Sequence, residues 1–98
     1  MTYNKALKIV GEQSSLIGKS ILGKEITNII VAPYHASEDQ IGEIADRIFS
    51  NKTYKDILDK YTDFTVIVIF QIELYYLSGI LFFKTLESVL RELEENKK

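Results

Sequence analysis

The sequence predicts a small α/β domain, with an α+β arrangement as the alternative, in which a sheet of two or three strands contains a βααβ crossover. Two short segments rich in β-branched residues, 26–32 and 64–72, predict strands. Two helix-start signals lie between them, and amphipathic stripes at both chain ends predict flanking helices. The 98 residues fit one domain spanning 1–98, and a hydrophobic content of 46% predicts a packed core.

The first element is predicted to be an amphipathic helix over residues 2–22. Gly23 follows it, and glycine is the residue type that most often adopts the left-handed conformation after a helix. The helical stripe consists of side chains spaced alternately by four and three residues, at Tyr3, Leu7, Val10, Ser14, Ile17 and Ile21.

The middle of the chain predicts a strand and a pair of helices. The strand over 26–32 is short and β-branched, and Pro33 closes it. Ser37 stands three residues before Gln40, which is the spacing of a capping box and predicts a helix that ends near Ser50.

The same spacing recurs at Thr53 and predicts a second, shorter helix whose apolar positions run to Tyr61. The following segment, 64–72, has five consecutive β-branched residues and predicts a buried strand. Two strands joined through a helix pair are most simply parallel, with a right-handed crossover.

The C-terminal third predicts a helix whose start is ambiguous. Residues 74–83 suit a third strand, but Ser78 and Gly79 also suit a turn or a helix start. Apolar residues recur at helical spacing from Phe82, which predicts a terminal helix ending at about Glu95.

Composition narrows the classes of partner. The net charge of -2, with both signs interspersed, gives no field that would concentrate a polyanion, so no nucleic-acid partner is expected. Cysteine is absent, which excludes disulfides, thiolate metal sites and a cysteine nucleophile, and favours a reducing, cytoplasmic location.

One segment superficially resembles a phosphate-binding loop, because Gly18, Lys19 and Ser20 follow Gly11. Six residues separate the two glycines, whereas the phosphate cradle needs four. We therefore expect neither ATP nor GTP to bind, and the sequence predicts no cofactor, no metal site and no catalytic residue.

Three residues are candidates for a ligand site. Tyr34 and His35 follow the first predicted strand, where open α/β sheets place their binding loops. Glu73 follows a mostly apolar strand, and a buried carboxylate there would be a candidate acid or base. These residues are the basis of one alternative function, a small-ligand enzyme that uses the loop after the first strand.

Two interpretations compete for the C-terminal half. Residues 64–83 are about as long as a membrane-spanning helix, so a membrane-associated protein anchored through them is a second alternative. The positions from 72 to 93 also fit successive heptad a and d positions of a coiled coil, although Gly79 falls in the stripe. Packing of this stripe on the chain's own sheet competes with self-association, for which we expect an exposed apolar face with five candidate interface residues: Phe82, Phe83, Leu86, Val89 and Leu93.

These features favour a small, soluble, non-enzymatic interaction or regulatory protein that acts as a homodimer. The premise is that a sheet of two or three strands leaves apolar surface uncovered, and pairing across a twofold axis would bury it. Partners are therefore expected to be a second copy and another protein, rather than a nucleic acid or a membrane.

Overall fold

A computed structural model describes residues 1–72 and 80–95, and the fold is α+β. The described residues form four helices and a four-stranded antiparallel sheet in the order β1-β2-β3-β4, one strand more than the largest sheet we expected. The elements in chain order are α1 (Tyr3–Glu12), β1 (Ser20–Ile21), β2 (Lys24–Pro33), α2 (Glu38–Phe49), α3 (Lys55–Leu58), β3 (Phe64–Ile72), β4 (Ile80–Thr85) and α4 (Leu86–Glu95).

Helices cover both faces of the sheet. On one face α1 and α4 enclose a first core, which is built around Val66, Val68 and Phe70 of β3. On the other face α2 encloses a second core around Ile67 and Ile69 of the same strand. Because both faces are covered, consecutive residues of β3 are apolar, and the predicted strand 64–72 is confirmed at both of its ends.

The predicted parallel crossover is wrong. Pro33 at the end of β2 pairs with Phe64 at the start of β3, so the two strands are antiparallel. The helix pair leaves the sheet and returns to the same end of it, which makes the whole βααβ unit a hairpin with a helical insertion. Near-continuous apolar strands are commonest in parallel sheets, but here they reflect only the two covered faces.

The predicted helix over 2–22 is also wrong in its second half. Helix α1 ends at Glu12, and Ser14–Leu16 forms one 3-10 turn before β1. The Ser14 hydroxyl donates a 2.9 Å hydrogen bond to the Gly11 carbonyl, an example of the local bonding by which serine competes with helix continuation.

Gly23 belongs to a hairpin turn rather than to a helix end. Ile21 pairs with Lys24, so Leu22 and Gly23 form a two-residue loop between β1 and β2. Both loop residues have positive φ, 53° and 77°, as the type I′ turn requires. The predicted strand 26–32 is confirmed within the longer β2.

The helix pair is confirmed, with different proportions. Ser37 caps α2 in a complete capping box with Gln40, and Ser50 ends the helix as expected. The second helix, α3, has only four residues. Its consecutive residues Ile57 and Leu58 pack in the second and first cores respectively, so α3 crosses an edge of the sheet.

The C-terminal segment contains both a strand and a helix. Strand β4 occupies Ile80–Thr85, where we expected either a strand or a helix start. Helix α4 begins at Leu86, four residues later than predicted, and ends at Glu95 as predicted. The rest of the ambiguous segment, residues 74–79, lies outside the described residues.

Candidate functional site

A cleft opens at the end of the sheet where β2 ends, β3 begins and β4 gives way to α4. Its volume is about 740 Å³, and it reaches from the gap between α1 and α4 around to the start of α2. The lining residues are Met1, Ile9, Glu12, Gln13, Pro33, Tyr34, His35, Ala36, Glu38, Ile41, Thr65, Val66, Ile67, Phe83, Lys84, Thr85, Leu86, Glu87 and Leu90.

The floor of the cleft is apolar and includes residues of α1 and α4, which share contacts with β3 but otherwise pack against different strands. Helix α1 contacts β2 and β3, whereas α4 contacts β3 and β4. Ile9 of α1, Leu86 and Leu90 of α4 and Val66 of β3 are among the apolar residues that line the cleft here. The Leu90 side chain is 38% exposed, which is a high fraction for leucine beside two cores.

The rim of the cleft carries three carboxylates from three elements. Glu12 is the last residue of α1, Glu38 is the first of α2 and Glu87 is the second of α4. Among the described residues, only Glu87 of these three has an ion-pair partner, and its bond to Arg91 is long at 3.7 Å. The rim is therefore predominantly acidic.

The cationic groups that line the cleft are already paired. Lys84 forms an ion pair with Glu92. The amino group of Met1 forms an ion pair with Asp63 and donates a 2.9 Å hydrogen bond to the Phe64 carbonyl. The bond from this amino group lowers the pKa of Asp63 below its usual value.

The turn after β2 presents two aromatic rings at the same rim. The Ala36 N–H donates to the Pro33 carbonyl at 3.1 Å, which closes a four-residue turn around Tyr34 and His35. His35 has a φ of 60°, as the third residue of a type II turn requires, although glycine or asparagine is usual there. The two rings pack together with centroids 4.0 Å apart.

The predicted ligand residues divide between described and undescribed parts of the chain. Tyr34 and His35 both line the cleft and are exposed. Glu73 lies outside the described residues. Ile72, the last described residue before it, ends β3, whereas the Tyr34 turn adjoins Phe64 at the beginning of that strand.

The predicted interface residues are mostly inside the chain. Leu86 and Val89 are buried in the first core, and Phe82 and Leu93 pack against it. Phe83 packs against the second core. The apolar stripe of α4 therefore contributes to the chain's own core, while the homodimer and its interface residues stay predictions.

Sequence reasoning missed the acidic rim and the apolar gap below it. Glu12, Glu38 and Glu87 are separated by 26 and 49 positions, and no local motif relates them. The convergence depends on antiparallel pairing that returns the chain to one end of the sheet.

The strand edges differ in their protection. Strand β1 pairs with Lys24 and Glu25 of β2, and α3 crosses the edge farther along, where Tyr54 packs against both cores. Burial raises the pKa of the Tyr54 hydroxyl, which lies beside the Val31 backbone of β2. At the other side of the sheet, β4 has only β3 as a strand neighbour within the described residues.

The remaining candidate segments do not have the structure that the sites considered for them would need. Gly18 and Lys19 lead into β1, whereas a phosphate-binding loop leads into a helix. In residues 1–72 and 80–95, no group of three potential metal ligands converges. In the same residues, no helix combines the length and the apolar character needed to cross a bilayer; 64–72 and 80–83 are strand.

Comparison of the chain with protein-family models, with curated proteins and with solved structures gave no match.

Proposed function

We propose that this chain is a non-enzymatic interaction protein that forms a homodimer by pairing the free edge of β4 with the same edge of a second copy. The observation that carries the proposal is the difference between the two sheet edges. Within the described residues, one edge strand, β1, has only two residues and α3 crosses β2 beside it, whereas the other edge strand, β4, has six residues and only β3 as a strand neighbour. Soluble proteins usually cover, shorten or charge a free edge, and an unprotected one is a template for strand addition.

The composition of β4 supports pairing of its edge with a second copy. Its sequence, ILFFKT, is apolar over four residues and contains one charge. That charge, on Lys84, is neutralised by Glu92. The strand therefore lacks the unpaired lysine or the proline that would discourage pairing.

The backbone of β4 offers hydrogen-bonding groups to a partner. The Tyr34 N–H donates to the Asp63 carbonyl. The backbone N–H and C=O groups of the odd-numbered β3 residues therefore point toward β2, and those of the even-numbered residues point toward β4. Val68 and Phe70 pair with Lys84 and Phe82, so the backbone groups of these two β4 residues point toward β3. The backbone groups of the alternate β4 residues then point outward.

An antiparallel pair of β4 strands satisfies these outward groups. A twofold axis at either Phe82 or Phe83 brings outward-facing residues of the two copies opposite each other. With the axis at Phe83, Lys84 of each copy lies opposite Phe82 of the other. A lysine beside that ring is compatible with the chain itself, where Lys84 Nζ lies 5.7 Å from the Phe82 centroid.

The first test is the mass in solution, followed by cross-linking. Light scattering should give twice the 11.3 kDa chain mass at about 50 μM, which saturates a dimer of micromolar affinity. The natural chain has no cysteine, so Phe83→Cys introduces a unique thiol near the twofold axis. A short bis-maleimide should link two such chains.

The matched control is Ser20→Cys, an exposed residue on β1 at the opposite edge, which should remain unlinked. Thr85→Cys leaves both cores intact and, with a longer linker, replaces Phe83→Cys if the latter lowers stability. A monomeric mass for the natural chain, or equal cross-linking at the two edges, would overturn the proposal.

A further inference from the structure

We propose that the cleft at the end of the sheet binds a basic peptide segment of a partner protein, with an apolar side chain on its floor and lysine or arginine side chains at its rim. This goes beyond dimerisation through β4: the cleft shares Phe83, Lys84 and Thr85 with that strand, but its floor and carboxylates come from other elements and its readout is different.

The floor provides the apolar half of the site. Leu90 is 38% exposed and Ile9 is half-buried, and both line the cleft together with Leu86, which is 7% exposed. Burying such a side chain against a ligand is favourable in proportion to the apolar area removed from water. A cleft of about 740 Å³ lies within the range of pockets that hold several side chains.

The rim provides the electrostatic half. Glu12, Glu38 and Glu87 border the floor, and the cations beside them are held by Glu92 and Asp63. An incoming anion would meet three carboxylates, whereas a cation would meet complementary charge. Such complementarity determines which partner binds and how fast it associates.

Tyr34 strengthens the preference for a cation. Its ring is 52% exposed and is supported from one side by His35, with the ring centroids 4.0 Å apart. An exposed aromatic ring that lines the same cleft as Glu38 suits a lysine or arginine side chain, which gains both ion pairing and cation–π attraction. The combination favours a basic peptide over a purely apolar ligand.

The test uses three fluorescein-labelled peptides and fluorescence anisotropy. The probe is Ser-Lys-Leu-Lys-Ser-Leu-Lys-Ser; one comparison peptide has glutamate in place of each lysine, and the other has serine in place of each leucine. We expect the probe to bind saturably and both comparison peptides to bind at least about tenfold more weakly, because each lacks one half of the recognition.

Variants then locate the binding. The triple variant Glu12→Gln, Glu38→Gln and Glu87→Gln should weaken the probe by about tenfold, given three exposed charge pairs. The matched triple variant, which changes the net charge equally, replaces exposed carboxylates that do not line the cleft: Glu25→Gln, Glu94→Gln and Glu95→Gln. It should bind the probe almost normally, and Leu90→Ser should weaken probe binding while circular dichroism shows that the variant is still folded.

Equal losses from the two triple variants would overturn the proposal, because binding would then follow net charge. Equal binding of the glutamate peptide, or no binding of the probe, would also overturn it. The mass of the natural chain is measured on the same samples, so a failed dimer and a failed cleft give different results.

Discussion

Two residues, Leu22 and His35, each adopt a backbone conformation that their residue type does not favour. Leu22 and His35 both have positive φ, and neither is the glycine or asparagine that usually occupies such a turn position. His35 borders the cleft, so its strained position also orients the ring that supports Tyr34. Leu22 lies at the tip of the first hairpin, where its side chain is 69% exposed. Strain of this kind is kept only where the surroundings enforce it.

The cost of the Leu22 conformation can be measured by substitution. We expect Leu22→Asn to raise the free energy of unfolding by about 1 kcal/mol, because asparagine tolerates the left-handed region and Asn-Gly is the preferred type I′ sequence. Urea denaturation measures this change. Leu22→Ala is the control, since it removes the exposed side chain but keeps the backbone penalty. Equal gains in the two variants would show that exposure, not backbone strain, limits stability.

At the scale of elements, a sequence signal predicted the structure correctly where the residues that interact are close together in the chain. In the capping box, the Gln40 N–H donates to Ser37 Oγ at 3.2 Å, and the Ser37 N–H donates to Gln40 Oε1 at 3.1 Å. The apolar spacing of residues 2–22 predicted too long a helix, because this segment contains three serines and two glycines, residue types that disfavour a helix interior.

An ion pair joins α2 to α3 and predicts a pH dependence. Arg47 donates to Asp56 Oδ1 at 2.5 Å and also to Glu43 at 3.0 Å. The bond with Arg47 lowers the pKa of Asp56, and the bond with Asp56 raises that of Arg47. A carboxylate whose folded-state pKa is depressed stabilises the protein above its unfolded-state pKa, and that contribution disappears as pH falls through the folded value.

Asp56→Asn should therefore lower the urea midpoint at pH 7, and the deficit should shrink below about pH 4, where an unfolded-state aspartate becomes protonated. Asp59→Asn is the control, since this exposed carboxylate has no ion pair among the described residues. A deficit that is constant down to pH 2 would contradict the assignment to charge.

At the scale of the whole molecule, one strand supports both cores. Ile69 is fully buried in the second core, and its neighbour Phe70 is 2% exposed in the first. The chain thus covers both faces of its sheet without a partner. Within the part of the chain that the structure describes, the β4 edge and the cleft remain open to a partner.

Substitutions at these adjacent positions test the two-sided core. Ile69→Ala should cost about 2–5 kcal/mol and Phe70→Ala about 3–5 kcal/mol of unfolding free energy, because each leaves a cavity in a separate core. Gln71→Ala, next along the strand, should change it by about 0.5 kcal/mol or less. Denaturation of the three variants is the measurement. A cost for Ile69→Ala as small as that for Gln71→Ala would mean that one face of the sheet is uncovered.

Residues 26–32, 37–50 and 64–72 could be assigned from the chain alone, because β-branched runs and capping boxes act over a few neighbouring residues. Strand direction, the fourth strand and the burial of Leu86 and Val89 could not. Each depends on which distant segments meet, and a helix pair can return the chain to either end of a sheet. The cleft follows from the same long-range choice: antiparallel pairing of β2 with β3 brings Tyr34, Glu12 and Glu87 to one end of the molecule.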